Sequence, residues 1–88
     1  MSLLPNRDEV LARVLVAFAA SLALDRIGPD DDYFELGGDS VGALRLVRQL
    51  RTSIDRQIRM ADLIRHPTAD GLTDAITSRL GAHRNVEA

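Results

Sequence analysis

The sequence predicts an all-α protein: a small four-helix bundle with three main helices, one short helix and a long loop between helices one and two. Two observations on the pattern predict this class, since apolar residues recur at helical spacing in separate stretches and glycine and proline divide those stretches. The third observation is size, because 88 residues, 45% apolar and 27% charged, make one domain with a small core. We expect this single domain, 1–88, to have a core over about 6–80 and flexible ends at 1–5 and 82–88.

The first predicted helix runs from about Arg7 to Leu22. Asn6 is its expected N-cap, and Glu9 three residues later completes a capping-box pattern. Apolar residues at steps of three and four form one stripe roughly 100° wide: Leu11, Val14, Leu15, Phe18 and Leu22. We expect this stripe to face the core and Val16 to lie outside it.

The segment 23–39 is predicted to be a loop, because Gly28-Pro29 and Gly37-Gly38 interrupt it and three consecutive aspartates disfavour a helix. A loop of this length in a small domain is usually functional or packed by its own side chains. Five apolar residues should hold it across the bundle: Leu24, Ile27, Tyr33, Phe34 and Leu36. Its carboxylates lack the spacing of an EF-hand, which favours a solvated acidic loop over a calcium site.

The second helix is predicted over Ser40 to about Thr52, with Asp39 or Ser40 as its cap. Its core face consists of Ala43, Leu46, Val47 and Leu50. The other side and its margins carry a mixed apolar and basic set that includes Val41, Leu44, Arg45 and Arg48. Scattered exposed apolar residues are common, and the alternative is that this set is a small partner-docking patch with a basic rim.

The last third of the chain predicts one short and one long helix. Residues 60–64 should form a short helical turn that Pro67 ends. Thr68 should cap a last helix that ends at Gly81 and buries one narrow face, Ala69, Leu72, Ile76 and Leu80. Gly71 inside that helix costs about 1 kcal/mol relative to alanine unless a neighbour packs closely against it.

Composition excludes several classes of function. The absence of cysteine removes disulfides, thiolate nucleophiles and thiolate metal sites, and two isolated histidines, His66 and His83, make a poor metal site. The net charge of −2 gives no bulk attraction to nucleic acid. No apolar run approaches the ~18 residues that a membrane-spanning helix needs. The start shows no signal-peptide pattern, so we expect a cytoplasmic protein, and its capped start and short tail favour a free-standing one.

Residues 36–40, LGGDS, form the most unusual segment of the chain. Two glycines let the backbone turn tightly, and a serine hydroxyl follows at a helix N-terminus, whose unpaired N–H groups and dipole favour a phosphate. A phosphate esterified to Ser40 would therefore lie in a favourable field, whereas the alternative is a mere turn and helix cap. A catalytic serine would need a base, and His66 is the only plausible one within the fold, so we expect no catalysis by the chain alone.

Residues 32–41, DYFELGGDSV, closely resemble the phosphopantetheine-attachment motif of carrier proteins. Residues 58–68, IRMADLIRHPT, are similar to the family's stretch before its last helix, and the match covers about 6–80. The resemblance implies that a phosphopantetheinyl transferase moves 4′-phosphopantetheine from coenzyme A onto Ser40, with Gly37, Gly38 and Asp39 beside it. It also implies that the arm's thiol holds aminoacyl or acyl groups as thioesters, and that the chain is a carrier and not an enzyme.

The resemblance also implies partners, and it suggests a type of carrier. Val41, Leu44, Arg45 and Arg48 match the family's partner-recognition helix, which would meet adenylation, condensation or other acyl-processing enzymes, with the carrier as a monomer. The Gly-Gly before Asp-Ser looks most like a peptidyl carrier of nonribosomal peptide synthesis. From residue 40 to 60, five arginines stand against one aspartate, the opposite of the acidic second helix of fatty-acid carriers.

Other interpretations of the chain remain open. A polyketide-type or other acyl carrier shares much of the motif, and an unmodified helical interaction module is a more distant alternative. The sequence departs from the family at Ile64, where an aromatic residue is common, and at Gly42. Gly42 is a weak helix former just after the serine, which leaves open how rigid the first turn of that helix is.

Overall fold

A computed structural model describes the backbone of residues 6–87 and the side chains of residues 6–80. Within this part of the chain there are four helices, α1 Arg7–Leu22, α2 Ser40–Ser53, α3 Met60–Arg65 and α4 Ala69–Glu87. The predicted all-α class and the long loop between α1 and α2 are confirmed. The flexibility expected of 1–5 and 82–88 concerns residues outside those whose side chains are described.

α1 begins and ends where the sequence predicts. Its start is specified by a local pair of hydrogen bonds. The Asn6 side chain accepts a hydrogen bond from the Glu9 N–H at 2.9 Å, and Glu9 Oε1 accepts one from the Asn6 N–H at 3.4 Å. This capping box satisfies two donors that would otherwise have no partner. Asp8 and Glu9 add negative charge at the positive end of the helix dipole.

The buried face of α1 is rotated from the predicted stripe. The fully buried residues are Val10, Val14, Ala17 and Phe18. Leu11, Leu15 and Leu22 are only partly buried at its edge, while Val16 is exposed as expected. α1 packs against both α2 and α4, so its buried face serves two neighbouring helices. The predicted stripe therefore shares Val14 and Phe18 with the buried face, and its other three residues pack at the edge of the core.

The long loop is held mainly by Tyr33, with help from Ile27, and not by all five of the apolar residues that were predicted to anchor it. Tyr33 is fully buried and Ile27 packs against the core. Leu24, Phe34 and Leu36 remain 41%, 36% and 39% exposed, so the prediction was wrong for Leu24 and Leu36, and Phe34 contributes an edge-on contact with Tyr33 from a largely exposed position. Backbone hydrogen bonds do the rest of the anchoring: the Tyr33 N–H donates to the Pro67 carbonyl and the Asp70 N–H to the Pro29 carbonyl, both at 2.9 Å.

α4 is longer than predicted, since it continues through Gly81 to Glu87. A single glycine weakens a helix by only about 1 kcal/mol, and no proline follows to end it. The predicted cap is confirmed, because Thr68 Oγ1 accepts a hydrogen bond from the Gly71 N–H at 3.0 Å. A β-carbon at Gly71 would lie 3.0 Å from that same oxygen, which is the close neighbour that makes glycine tolerable there.

The predicted core faces of α2 and α4 meet α1 in one cluster. All four residues named for α2 are buried: Ala43, Leu46, Val47 and Leu50. On α4, Ala69, Leu72 and Ile76 are buried and Leu80 is partly buried against the same cluster. The helical period alone thus located the buried faces of α2 and α4, because the buried residues of each helix form a single narrow face.

The short helix α3 is held in place by the buried carboxylate of Asp62. This side chain accepts a hydrogen bond from the Arg59 N–H at 2.8 Å and an ion-paired one from Arg79 at 2.7 Å. The Arg79 guanidinium also donates to the Gln57 carbonyl at 3.1 Å. Burial by itself would raise the pKa of Asp62, but these hydrogen bonds outweigh it and the pKa lies below its usual value.

Acid should therefore weaken the fold through Asp62. Its folded-state pKa lies below that of the unfolded chain, so the ionised carboxylate adds stability above about pH 4 that is lost as the pH falls through the folded-state pKa. We expect Asp62→Asn to lower the free energy of unfolding by about 1–2 kcal/mol at pH 7, and by less at pH 3. Urea unfolding followed by circular dichroism measures both values. The exposed-loop variant Asp25→Asn is the control, and an equal loss at both pH values would contradict this role.

Candidate functional site

Ser40 is the first residue of α2, and its side chain is exposed. The cap of this helix is Asp39, whose side chain accepts a hydrogen bond from the Gly42 N–H and whose carbonyl accepts one from the Ala43 N–H, both at 2.8 Å. Because Asp39 does the capping, the Ser40 hydroxyl is left without a hydrogen-bond partner among residues 6–80. It is therefore available for reaction at the surface of the domain.

The first turn of α2 also suits a phosphate group. Asp39 accepts the hydrogen bonds of the Gly42 and Ala43 amides, whereas the amides of Ser40 and Val41 have no acceptor among the described residues. The positive end of the helix dipole lies at the same place. A phosphodiester on the Ser40 hydroxyl would lie close to these amide donors, and no described side chain would have to release the hydroxyl first. The residues present therefore fit the 4′-phosphopantetheine group.

The turn before Ser40 is built by hydrogen bonds from backbone amides to the Asp32 side chain and to the Tyr33 carbonyl. Asp32 Oδ1 accepts hydrogen bonds from the Phe34 and Glu35 N–H groups at 2.8 and 3.1 Å. The Gly38 N–H donates to the Tyr33 carbonyl at 3.0 Å, which closes the turn. Gly37 has a φ of +111°, a conformation that side-chain-bearing residues rarely adopt. The acidic loop is thus partly a scaffold of the turn.

Tyr33 fills the space beneath this turn and brings together residues that sequence reasoning did not connect. Its ring packs edge-on against Phe18 and Phe34, with centroids 5.3 Å apart in each pair. Its hydroxyl shares a 2.5 Å hydrogen bond with Ser21 of α1, and Ser21 Oγ also lies 3.4 Å from the Gly42 carbonyl that accepts its hydrogen bond. The first turn of α2 is therefore tied to α1 through Tyr33 and Ser21.

Two glycines are required by the position of Tyr33. A β-carbon at Gly38 would lie 2.2 Å from Tyr33 Cε2, and one at Gly42 would lie 2.8 Å from the Tyr33 hydroxyl. Glycine at position 42 therefore does more than lower the helix propensity of α2. The absence of a side chain leaves room for the hydrogen bond between Tyr33 and Ser21, which links the first turn of α2 to α1. Spacing alone gave no signal for Ser21 or for the reason behind Gly42, since both depend on which residue fills the space under the turn.

The mixed apolar and basic set lies on the exposed side of α2. Val41 and Leu44 are 61% and 46% exposed, and Arg45 and Arg48 are exposed as well. Ile64 on α3 is also 61% exposed. The predicted exposure of these side chains is observed, and the same chain segment that presents Ser40 presents them.

The other polar residues considered from sequence have structural roles or no assembled site. His66 is exposed at the end of α3, where its N–H donates to the Asp62 carbonyl at 2.9 Å, and it makes no hydrogen bond with Ser40. Asp31 accepts a hydrogen bond from the Gly28 N–H at 2.8 Å. Across the described part of the chain, no three His, Asp or Glu side chains are grouped as metal ligands would be. None of the described helices is long and apolar enough to cross a membrane.

Comparisons with known proteins agree with this geometry. The family model of the phosphopantetheine attachment site matches residues 12–76. The N-(5-amino-5-carboxypentanoyl)-L-cysteinyl-D-valine synthase of Amycolatopsis lactamdurans is 39% identical over 74 residues, which are 84% of this chain and 2% of the synthase. The chain therefore spans a very small part of that relative.

Two solved structures share the fold. A non-ribosomal PCP domain is 35% identical with a TM-score of 0.67, over 80% of this chain and 87% of that one. BlmI, a type-II acyl carrier protein from Streptomyces verticillus involved in bleomycin biosynthesis, is 26% identical with a TM-score of 0.80, over 84% of this chain and 89% of that one. Sequence and fold thus point to the same family.

Proposed function

Because the chain belongs to the phosphopantetheine-attachment family and is a carrier domain of the peptidyl kind, we propose that Ser40 is the residue that bears its 4′-phosphopantetheine. The observation that carries the proposal is the exposed Ser40 hydroxyl at the start of α2, which no described residue binds. When attached, the prosthetic group supplies the thiol on which aminoacyl or acyl groups are held as thioesters. Carrier domains of this family are not catalysts, and the partner enzymes do the chemistry.

The residues of this chain present the hydroxyl but do not activate it. In the attachment reaction the Ser40 oxygen bonds to the phosphorus next to pantetheine, the pyrophosphate bond of coenzyme A breaks, and adenosine 3′,5′-bisphosphate leaves. The hydroxyl proton must pass to a base of the transferase, since no described His or carboxylate hydrogen-bonds Ser40. Asp39 caps the first turn of α2, Gly37 supplies the positive φ of the preceding turn, and Gly38 leaves space for the Tyr33 ring beneath that turn.

Incubation with coenzyme A and a broad-specificity phosphopantetheinyl transferase tests this proposal. We expect one phosphopantetheine adduct per chain by intact-mass spectrometry, and fragmentation should locate it at Ser40. A control carrier loaded in parallel shows that the transferase is active. An unmodified chain beside a loaded control would favour an unmodified interaction module, and an adduct at another serine would overturn the assignment of Ser40.

The peptidyl type of carrier is supported over the polyketide type by two findings. The solved domain with 35% identity is a non-ribosomal PCP domain, and the similar protein from Amycolatopsis lactamdurans is an N-(5-amino-5-carboxypentanoyl)-L-cysteinyl-D-valine synthase. We propose that adenylation and condensation enzymes are the partners of this chain and that the carrier is a monomer. Loading assays with activated amino acids and with malonyl groups would separate the two types, since a polyketide carrier accepts the latter.

The exposed apolar residues of α2 are proposed to dock these partners. Val41 and Leu44 lie within one helical turn of Ser40, so an enzyme whose active site receives the arm covers them. Weak and exchangeable contacts suit a carrier that leaves each partner after one step. Arg45 and Arg48 would border this contact and meet neutral or acidic partner surfaces.

Charge placed in this contact should weaken transfer without unfolding the domain. We expect Val41→Asp and Leu44→Asp each to lower kcat/KM for aminoacyl loading about tenfold, with an adenylation enzyme that loads the wild-type chain, because each buries an unpaired carboxylate in the complex. The control is Val16→Asp, which places the same charge at a 67% exposed position on α1 and should load normally. Loss of the helical circular dichroism signal in either α2 variant would contradict the exposed assignment.

A further inference from the structure

The end of α2 and the connection to α3 carry a cluster of arginines, of which only Arg48 also borders the proposed docking contact. We call Arg48, Arg51, Arg56 and Arg59 the arginine surface, and all four side chains are exposed. Ion pairs among residues 6–80 join Arg7 to Asp70 and Asp74, and Arg79 to Asp62. No member of the arginine surface therefore forms an ion pair within the described part of the chain.

These arginines line two adjoining grooves. One groove of about 570 Å³ is bordered by Arg48, Arg51, Thr52 and Arg56. The other, of about 420 Å³, is bordered by Arg51, Arg56, Gln57, Arg59 and Arg79. Arg51 and Arg56 border both grooves, so a ligand that occupies either groove meets these two side chains.

Arg51 is held in position before any ligand arrives. Its Nε donates a hydrogen bond to the Arg56 carbonyl at 3.0 Å, which fixes the plane of the guanidinium and leaves its two terminal nitrogens for a ligand. A planar fork held in this way matches the two oxygens of a carboxylate. A guanidinium whose orientation is set in advance loses less conformational entropy on binding than a mobile one.

The arginine surface is continuous with the docking side of α2. Ser40, Leu44, Arg48 and Arg51 are separated by four, four and three residues, the spacing that places side chains on one side of a helix. Arg51 lies about 16 Å along the helix from Ser40 at 1.5 Å per residue. A protein that receives the arm at Ser40 and covers Leu44 therefore reaches Arg51 with the same surface.

We propose that the arginine surface seats a carboxylate-rich segment of a partner protein, with Arg51 as its anchor, at the rim of the contact that begins at Ser40. The inference rests on the proposed carrier function and names the chemistry of the partner. Uncompensated like charges repel one another in the free chain, and an acidic segment removes that repulsion. Complementary rim charges mainly speed association and select partners. The net charge of −2 and the small extent of the surface disfavour nucleic acid as the occupant.

A titration of the ¹⁵N-labelled chain with a hexaglutamate peptide tests the inference. We expect saturable shifts of the amide signals around Arg51 and Arg56, which vanish at 0.5 M salt as screened charge contacts do. Arg51→Gln and Arg56→Gln should each weaken binding about two- to fivefold. Arg51→Lys keeps the charge but loses the Nε hydrogen bond, so it should also bind more weakly than the wild type. Arg26→Gln, an exposed arginine of the long loop, should not change binding.

Several results would overturn the inference. Equal binding of hexaglutamine would show that charge is not recognised. Amide shifts at Arg26 as large as those at Arg51 and Arg56 would show that the peptide binds no defined surface. Tighter binding of inorganic pyrophosphate or of a DNA 12-mer than of hexaglutamate would assign the grooves to phosphates. Wild-type affinity in Arg51→Lys would remove the anchor role of Arg51. Mass spectrometry of the same variants after incubation with coenzyme A and the transferase reports loading at Ser40 separately, so failure of the carrier proposal and failure of this inference are distinguishable.

Discussion

Replacing Ser40 by alanine should abolish the phosphopantetheine adduct and leave the fold unchanged. The hydroxyl is the only part of the side chain that the substitution removes, and it makes no hydrogen bond among the described residues. Asp39 still caps α2, and alanine is at least as good a helix former as serine. We therefore expect the free energy of unfolding to stay within about 0.5 kcal/mol of the wild type. Intact-mass spectrometry and urea unfolding measure the two outcomes.

The control for this substitution is Ser53→Ala. Ser53 is also exposed and closes the other end of the same helix, so the change is chemically identical but distant from the turn 36–39. It should load as fully as the wild type. An adduct that persists in Ser40→Ala, or one that disappears in Ser53→Ala, would show that the attachment residue lies elsewhere. Loss of helicity in Ser40→Ala would mean that its hydroxyl has a structural role.

Replacing Gly38 by alanine should destabilise the domain strongly and slow its loading. The new β-carbon would lie 2.2 Å from the ring of Tyr33, which is fully buried and cannot swing into solvent. The turn or the ring must therefore shift, and overpacking of this kind costs about 1–3 kcal/mol. A shifted Tyr33 also breaks its hydrogen bond with Ser21, which fastens the first turn of α2. Chemical unfolding measures the loss of stability, and the transferase assay measures the loading rate.

A double-mutant cycle identifies the clash as the cause. Tyr33→Leu removes the ring atoms that the new β-carbon would meet, so Gly38→Ala should cost less stability in that background than in the wild type. Gly28→Ala is the matched control, because its β-carbon would meet only the exposed carboxylate of Asp31, at 3.2 Å. Equal costs of Gly38→Ala in both backgrounds would contradict the contact with Tyr33.

Much of the candidate site could be predicted from the sequence because its features are local. The serine, the two glycines before it and the capping aspartate are consecutive, and the exposure of Val41 and Leu44 follows from the period of one helix. The arginine surface was visible only as an excess of positive charge. Its grooves and the fixed orientation of Arg51 depend on how the connection between α2 and α3 folds back, which no helical period describes.

The sequence by itself determined the number and the starts of the helices, since each start depends on hydrogen bonds between residues three positions apart, such as Asn6 with Glu9 and Asp39 with Gly42. Only the tertiary structure decided how far the buried face of α1 is rotated from its apolar stripe, which loop residue reaches the core and why Gly38 and Gly42 have no side chain. These features arise where Tyr33 meets α1 and α2, between residues distant in the chain. Contacts of that kind depend on volume and close packing, which local spacing does not encode.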